Sequence, residues 1–113
     1  MDNKKSDYYY AQQIVSNIRA IKNYISGKSY EEFISDGELI DAIMFRFIQL
    51  IENIKKISPE FKEMYPNIPW GKILGFRNGI VREYGETDYT IVYETATQDL
   101  DELIELFEQV VDN

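Results

Sequence analysis

The chain has 113 residues, 44% of them hydrophobic, and a formal net charge of −8; this length predicts a single domain spanning residues 1–113 and is too short for two. Because it has no cysteine and no histidine, a disulfide framework, a thiolate or imidazole metal site and any Ser-His or Cys-His nucleophile are excluded, and we expect no metal or other cofactor. No hydrophobic signal core opens the chain and no apolar run of about 18 residues follows, which predicts a cytoplasmic protein.

The first half of the sequence predicts two long helices. In the first, apolar residues recur at steps of three and four before Gly27, a typical left-handed helix stop: Ala11, Ile14, Ile18, Ile21 and Ile25. Ser29, with Glu32 three residues later, has a capping-box pattern and predicts a short turn. The second long helix follows Asp36 and keeps one apolar face: Ile40, Ile43, Phe47, Ile51, Ile54 and Ile57.

Prolines divide the second half of the chain. Ser58 and Pro59 predict the start of a short helix, and Pro69 opens a longer one. Residues 87–94 favour a strand by propensity, but no second strand is evident to pair with them, so we predict a helix. The last helix has an apolar stripe over 100–110 opposite acidic residues. Together these elements predict an all-α antiparallel bundle of four to five main helices.

The charge is unevenly distributed along the chain. Residues 1–85 carry 11 acidic and 12 basic side chains, whereas residues 86–113 carry 9 acidic side chains and no basic one. The simpler interpretation of the acidic segment is a solvated helix face, and the alternative is a docking surface for a basic partner. The counts argue against non-specific nucleic-acid binding through a broad basic patch.

The helix after Pro69 contains an arginine where the helical period predicts an apolar side chain. At about 100° per residue, one face would include Trp70, Ile73, Arg77, Val81 and Tyr84. An isolated buried charge is very unfavourable, so we expect Arg77 to meet a buried acid, a wet cleft or an anionic ligand. A structural ion pair, with Glu52 as the candidate partner, stays open.

Three glycines form a ridge of bare backbone along the same helix: Gly71, Gly75 and Gly79. Each interior glycine costs about 1 kcal/mol relative to alanine, so we expect the ridge to serve a purpose. The favoured interpretation is a tight helix crossing within the chain. A symmetric dimer seam or a groove for a ligand's phosphate are the alternatives.

Residues 65–84 carry the most specific motif, Pro66-Asn67-Ile68-Pro69-Trp70, then Ile73, Gly75, Phe76 and Arg77-Asn78, followed by Tyr84. This motif resembles the HepT-like branch of the HEPN superfamily. Upstream, Arg46 followed by Ile51-Glu52-Asn53 is similar to that family's second-helix signature, with Ile51 where a glycine is usual. The resemblance extends from about residue 8 to residue 111.

The resemblance implies a homodimeric helical toxin from a two-gene toxin–antitoxin pair. Its partner would be a minimal nucleotidyltransferase antitoxin of the MntA type, which attaches adenylate groups to the toxin. Members of the family are metal-independent RNases that share a motif. In this motif an arginine is followed directly by an asparagine, four residues separate the arginine from a histidine, and a tyrosine lies two residues after that histidine. On this chain Arg77 and Asn78 fill the first positions, Arg82 stands where the histidine is expected, and Tyr84 is the tyrosine to be adenylylated.

Arg82 is a departure that bears on catalysis. Cleavage by the ribose 2′-hydroxyl needs a group that exchanges a proton near neutral pH, as imidazole does. A guanidinium lacks an acceptor lone pair and stays protonated, so Arg82 can only clamp a phosphate or stabilise negative charge. Loss of one acid–base group removes roughly 10²–10⁴-fold in rate. The sequence therefore predicts a weakened RNase or one without nuclease activity.

Helix geometry sets a condition on this site. Positions 77 and 82 lie about 140° apart on an ideal helix, so both serve one site only if the helix distorts or ends near Gly79, or if two subunits combine. We expect paired copies of Arg77 and Arg82 to form a basic cleft. Glu83 is then a surface charge or a substitute base, and Tyr84 a core tyrosine or the modification site.

The sequence is compatible with three functions. The first is a HepT-like RNase under control of a nucleotidyltransferase, and the second a catalytically inactive dimeric binding module for that transferase or for a nucleotide. The third is a structural helical dimer without a ligand. Asp36, Glu38 and Asp41 superficially suggest a metal cluster, but they lack loop spacing and are better interpreted as acids at a helix N-terminus.

Overall fold

The structure is a computed structural model that describes residues 6–80 and 87–112. Every regular element in these ranges is helical, which confirms the predicted all-α, HEPN-like bundle. The elements are α1 (Asp7–Ile25), α2 (Tyr30–Ile34), α3 (Gly37–Lys56), α4 (Pro59–Met64), α5 (Trp70–Gly79), α6 (Tyr89–Glu94), a π-helical turn (Thr95–Asp99) and α7 (Leu100–Val111). None of these helices is long and apolar enough to cross a membrane.

Helix α1 is the centre of the bundle and runs antiparallel to both α3 and α7. At its start, the Asp7 carboxylate accepts a hydrogen bond of 2.8 Å from the backbone N–H of Ser58, just beyond the end of α3. The neighbouring Tyr8 hydroxyl donates to the carbonyl of Val111, at the end of α7. The beginning of α1 therefore meets the ends of both partner helices.

One hydrophobic core joins the apolar faces of these helices. The predicted stripes of α1, α3 and α7 are buried, and Phe33 of the short α2 is buried with them. The largest fully buried side chains in α1, α2, α3 and α7 include Ile14, Ile18, Ile21, Phe33, Ile43, Phe47, Leu50, Ile54 and Phe107. Burial of each such side chain contributes about 1.5–3 kcal/mol, so the core rather than helix propensity holds the bundle together.

The helix boundaries lie where the capping residues predict them. Ser29 and Glu32 form the predicted capping box of α2, and Asp36 and Ser58 cap α3 and α4 through their side chains. Gly27 has a φ of 74°, the left-handed conformation that glycine adopts without strain. Hydrogen bonds from the Ser29 backbone N–H and hydroxyl lower the pKa of the Glu32 carboxyl.

The ambiguous segment after residue 86 is helical, as predicted. Asp88 caps α6 by accepting hydrogen bonds from the backbone N–H groups of Thr90 and Ile91. The chain then widens into the π-helical turn, where the Thr97 hydroxyl donates to the Tyr93 carbonyl at 2.8 Å. Buried residues continue through this turn at steps of four, at Val92, Ala96 and Leu100.

Candidate functional site

Arg77 is exposed at the surface of α5, so the prediction that it lies within a buried apolar face is wrong for this chain. The residues of α5 and its C-cap that are buried are Ile73, Phe76 and Ile80. The apolar stripe steps by three from Ile73 to Phe76, whereas the predicted stripe stepped by four to Arg77. Arg77 therefore lies about 100° around the helix from Phe76, beside the buried face of α5, where a long cationic side chain reaches water.

Glu52 does not neutralise Arg77. Its carboxylate lies 3.4 Å from the ammonium of Lys55, one turn along α3. Among the described residues Arg77 has no ion pair with any carboxylate. Asn78 beside it is also exposed. Arg77 and Asn78 thus present a guanidinium and an amide at the surface of α5, and no carboxylate of the described residues pairs with the guanidinium.

At Gly71 and Gly75 the glycine ridge of α5 faces away from the rest of the described chain. A Cβ added at Gly71 or Gly75 meets no atom within 4 Å, and both residues are exposed. The expected tight helix crossing within the chain is therefore wrong at these two positions. Asn78 continues the same face at the helical spacing of four and three residues. The ridge and Asn78 together leave one side of α5 bare.

Arg82, Glu83 and Tyr84 lie outside the described residues, as does Val81. Their assigned roles in phosphate binding, proton transfer and adenylylation therefore stay predictions. The same holds for the expected angle between positions 77 and 82.

The acidic C-terminal segment is partly neutralised within the chain, by pairs that dock it on other helices. Glu108 of α7 lies 2.7 Å from the guanidinium of Arg19 on α1, and Asp101 pairs with Lys22 of the same helix. These pairs and the exposed acids between them agree better with a solvated helix face than with a surface made wholly for a partner. Glu102 and Glu105 remain exposed on the outer side of α7.

A polar contact between α1 and α3 was not picked out as a site from the sequence. Arg46 Nη1 donates to Asn17 Oδ1 at 3.3 Å. Asn17 is only 4% exposed, although it carries an amide on a helix whose neighbouring buried residues are apolar. The signal was present in the sequence, since Asn17 is flanked by positions of the apolar stripe of α1 and Arg46 belongs to the second-helix signature.

Two open surface hollows lie elsewhere and involve none of the predicted site residues. One, of about 640 Å³, is lined by Lys28, Glu32 and the residues from 35 to 38 around the Asp36 cap. The other, of about 390 Å³, lies between the end of α1 and the π-helical turn. Asp36 caps a helix, and no group of three or more potential metal ligands occurs in the described ranges.

Comparison with known proteins places these observations in a family. Residues 14–110 match the family model described as "Ribonuclease HepT-like". Among curated relatives, "Putative RNase MJ0125" of Methanocaldococcus jannaschii is 33% identical over 99 residues, covering 87% of this chain and 84% of that protein. "Putative RNase MJ1216" of the same organism is 34% identical over 92 residues, covering 80% and 75%.

A relative with a more specific name is also similar. "Probable ribonuclease HepT" of Thermococcus cleftensis is 27% identical over 108 residues, covering 95% of this chain and 97% of that protein. No solved structure matches the chain. The family model spans α3 and α5, which carry the second-helix signature and the Arg77-Asn78 pair. The chain belongs to the ribonuclease HepT-like family.

Proposed function

We propose that this chain is a HepT-like toxin subunit that acts on RNA, binds an RNA phosphate through Arg77, and is regulated by a minimal nucleotidyltransferase antitoxin. The observation that carries the proposal is the exposed guanidinium of Arg77, which has no carboxylate partner among the described residues. An arginine in that state is suited to a phosphate, which it contacts through two parallel N–H groups. Relatives named as RNases support the same class of substrate.

Catalysis in this proposal is electrostatic. The 2′-hydroxyl attacks the adjacent phosphorus to form a 2′,3′-cyclic phosphate, and the 5′-oxygen of the next nucleotide leaves and takes up a proton from water. Arg77 and Arg82 stabilise the negative charge that develops on the phosphoryl oxygens, while the proton of the 2′-hydroxyl passes to water or to Glu83. Without an imidazole the rate is low, by roughly 10²–10⁴-fold relative to a site with histidine.

A homodimer completes the proposed site. The bare side of α5, with Gly71, Gly75 and Asn78, allows the backbone of a second copy to come close. On an ideal helix Arg77 lies about 100° from Asn78 and about 160° from Gly75, so the two Arg77 side chains would flank such a seam and line a cleft along its edges. A basic cleft of this kind would hold an RNA strand on a chain that is acidic as a whole.

An RNA-cleavage assay in EDTA tests the proposal. The purified chain is compared with Arg77→Ala and with Arg82→His, which restores the imidazole at the motif position. We expect Arg82→His to cleave at least tenfold faster than the natural chain and Arg77→Ala to be inactive. Arg19→Ala serves as the matched control, because Arg19 is an exposed arginine already paired with Glu108. If Arg82→His gains no cleavage, the idea of a site disabled only at that position is wrong.

Regulation is tested with a minimal nucleotidyltransferase of the MntA type. Incubation with that enzyme and ATP should add adenylate to Tyr84, seen as a mass increase that Tyr84→Phe abolishes. Loss of the increase in Tyr84→Phe but not in Tyr65→Phe would assign the position. Failure to form any complex with the transferase would contradict the proposed pairing.

A second function is favoured by one observation, the absence of histidine from the whole chain. In this alternative the chain is a catalytically inactive dimeric binding module for the transferase or for a nucleotide. No cleavage by the natural chain or by Arg82→His, together with adenylylation at Tyr84, would select this alternative over the RNase.

A further inference from the structure

The groove between α1 and α3 is lined by two stripes of side chains, of which Asn17 is buried, Gln49 and Lys56 are exposed, and the others are half-buried. On α1 the stripe repeats every three or four residues and contains Tyr10, Gln13, Asn17, Ala20 and Tyr24. On α3 the facing stripe contains Ala42, Arg46, Gln49, Asn53 and Lys56. Residues at this spacing share one side of a helix. Neither stripe contains an acidic residue, in a chain whose net charge is −8.

Two cations of this groove have no carboxylate partner among the described residues, and each lies over an aromatic ring. The Arg46 guanidinium is 6.0 Å from the centre of the Phe45 ring, and the Lys56 ammonium is 5.6 Å from that of Tyr10. By contrast, Arg19 and Lys22 of α1 are both paired with acids of α7. The groove therefore keeps positive charge that the other described residues do not neutralise.

Arg46 is held in place rather than merely exposed. The buried Asn17 amide oxygen accepts one of its N–H groups at 3.3 Å. A guanidinium has five N–H donors, so four remain for another acceptor. Phe45 beside it is 56% exposed, an unusual state for so large an apolar side chain. A fixed cation next to an open aromatic face suits a ligand that has both a phosphate and a planar base.

The acids of α7 lie on the other side of α1. Arg19 and Lys22, which bind those acids, are about 200° and 140° around the helix from Asn17. On the α3 side, Glu38 in the first turn is the acid closest in angle to the stripe, and it lies two turns before Arg46. Asp41 and Glu52 lie on the outer face of α3, and Glu52 is paired with Lys55. Asp7, one turn before Tyr10, and Glu38, one turn before Ala42, lie at the two ends of the groove, and the stripe residues between them include no acid.

We propose that the α1–α3 groove binds single-stranded RNA, with Arg46 and Lys56 contacting phosphates and Phe45 stacking on a base. Arg46 and Lys56 are separated by ten residues of α3, about 15 Å, which is a span of a few nucleotides. Exposed aromatic rings and cations along a groove are the usual means of binding single strands. The inference rests on the proposed RNA substrate and adds a strand-binding surface that is separate from Arg77.

The test measures the binding of a fluorescent 12-nucleotide single strand whose 2′-hydroxyls are methylated, by anisotropy over a range of salt concentrations. Such a strand cannot be cleaved by 2′-hydroxyl attack, so the result does not depend on nuclease activity. Arg46→Gln is compared with Arg19→Gln, which changes the net charge equally on the opposite side of α1. Phe45→Ala tests stacking, and each variant's fold is checked by circular dichroism and thermal melting.

We expect Phe45→Ala to weaken binding at least fivefold, as loss of one stacked base does. Arg46→Gln should weaken binding at least fivefold and reduce the slope of log affinity against log salt by about 0.7, whereas Arg19→Gln should change neither. Phe45→Ala and Lys56→Gln both change exposed side chains, so their effects on RNA binding can be measured even if Arg46→Gln is unstable.

Equal losses of RNA affinity in Arg46→Gln and Arg19→Gln would overturn the proposal that the groove binds RNA, since net charge alone would then explain binding. A change of oligomeric state in Phe45→Ala, seen by sedimentation without a change in RNA affinity, would assign the groove to a second copy instead. Loss of cleavage in Arg77→Ala with groove binding retained would separate the two sites. Cleavage without any groove effect would leave the proposed function standing and remove this inference.

Discussion

Replacing Gly75 by alanine tests where the ridge of α5 faces. Gly75 is in the middle of α5, is exposed, and an added Cβ there meets no atom within 4 Å. The methyl group therefore brings no clash, and the change removes the backbone freedom that glycine has in the unfolded chain. An exposed helix position gains about 1 kcal/mol from this substitution. For a domain of this size we expect the melting temperature to rise by about 4 °C.

The measurement is a thermal melt followed by circular dichroism at a protein concentration where sedimentation shows a monomer. Gly27→Ala is the control, because Gly27 has a φ of 74°. An alanine held in that conformation loses about 1 kcal/mol, so this variant should melt lower. At higher concentration Gly75→Ala should also weaken any dimer joined along the ridge, since two added methyl groups hold the backbones apart. A lower melting temperature of the Gly75→Ala monomer would refute the open ridge.

Three further substitutions follow from the packing and the charges. Phe107→Ala removes a fully buried ring that packs edge-on against Trp70, with 5.5 Å between the ring centres. The free energy of unfolding measured in urea should fall by about 3–5 kcal/mol. A loss under about 1 kcal/mol would contradict the burial of Phe107 in the core. Arg19→Ala breaks the exposed pair with Glu108 and should lower the free energy of unfolding by no more than about 1 kcal/mol. A loss of several kcal/mol would contradict the view that this pair is weak. Because the pKa of Glu32 is lowered in the folded chain, its carboxylate contributes stability at pH values above the usual carboxyl pKa, and this contribution is lost as pH falls through the lowered pKa. Glu32→Gln should lack this loss of stability in thermal melts over acidic pH. A loss of the same size in the variant would refute the role of Glu32.

The helices of this fold could be predicted because local signals and the core agree. Ser29, Asp36 and Ser58 cap their helices as their sequence positions indicate. The stripe of α3 is buried at Ile43, Phe47, Ile51 and Ile54 as its period predicts. Helix α3 has only one wide apolar face, so its periodicity predicts which side turns inward.

Helix α5 shows why the site could be predicted only in part. Trp70 and Ile73 begin a stripe that continues equally well by three residues to Phe76 or by four to Arg77. Which continuation is buried depends on how α5 lies against α3, a tertiary property that periodicity does not contain. The glycines gave the same difficulty, because a bare ridge predicts close approach but not whether the approaching backbone belongs to this chain. Periodicity and the start at Pro69 therefore predicted the helix itself, but not the direction in which Arg77, Gly71 and Gly75 face.

The Arg46–Asn17 contact was missed for a related reason. Asn17 occupies a helical position between buried isoleucines, where a polar residue reads as a small interruption of the stripe. Its significance depends on a guanidinium 29 residues away in the sequence, on the facing helix. Long-range pairs of this kind become visible only once α1 and α3 are placed antiparallel.

Pairing within the chain decides which charges remain for a ligand. Acids of α7 engage Arg19 and Lys22 across one side of α1, while Arg46 and Lys56 face the other. A helix is about 10–12 Å thick, more than the screening length of about 8 Å at physiological salt. A strand in the α1–α3 groove is therefore largely screened from the acidic helix at that salt concentration. At about 0.01 M salt the screening length grows to about 30 Å and the net charge of −8 repels the strand. RNA affinity should consequently level off on dilution of salt, whereas a protein with a broad basic surface would keep gaining affinity.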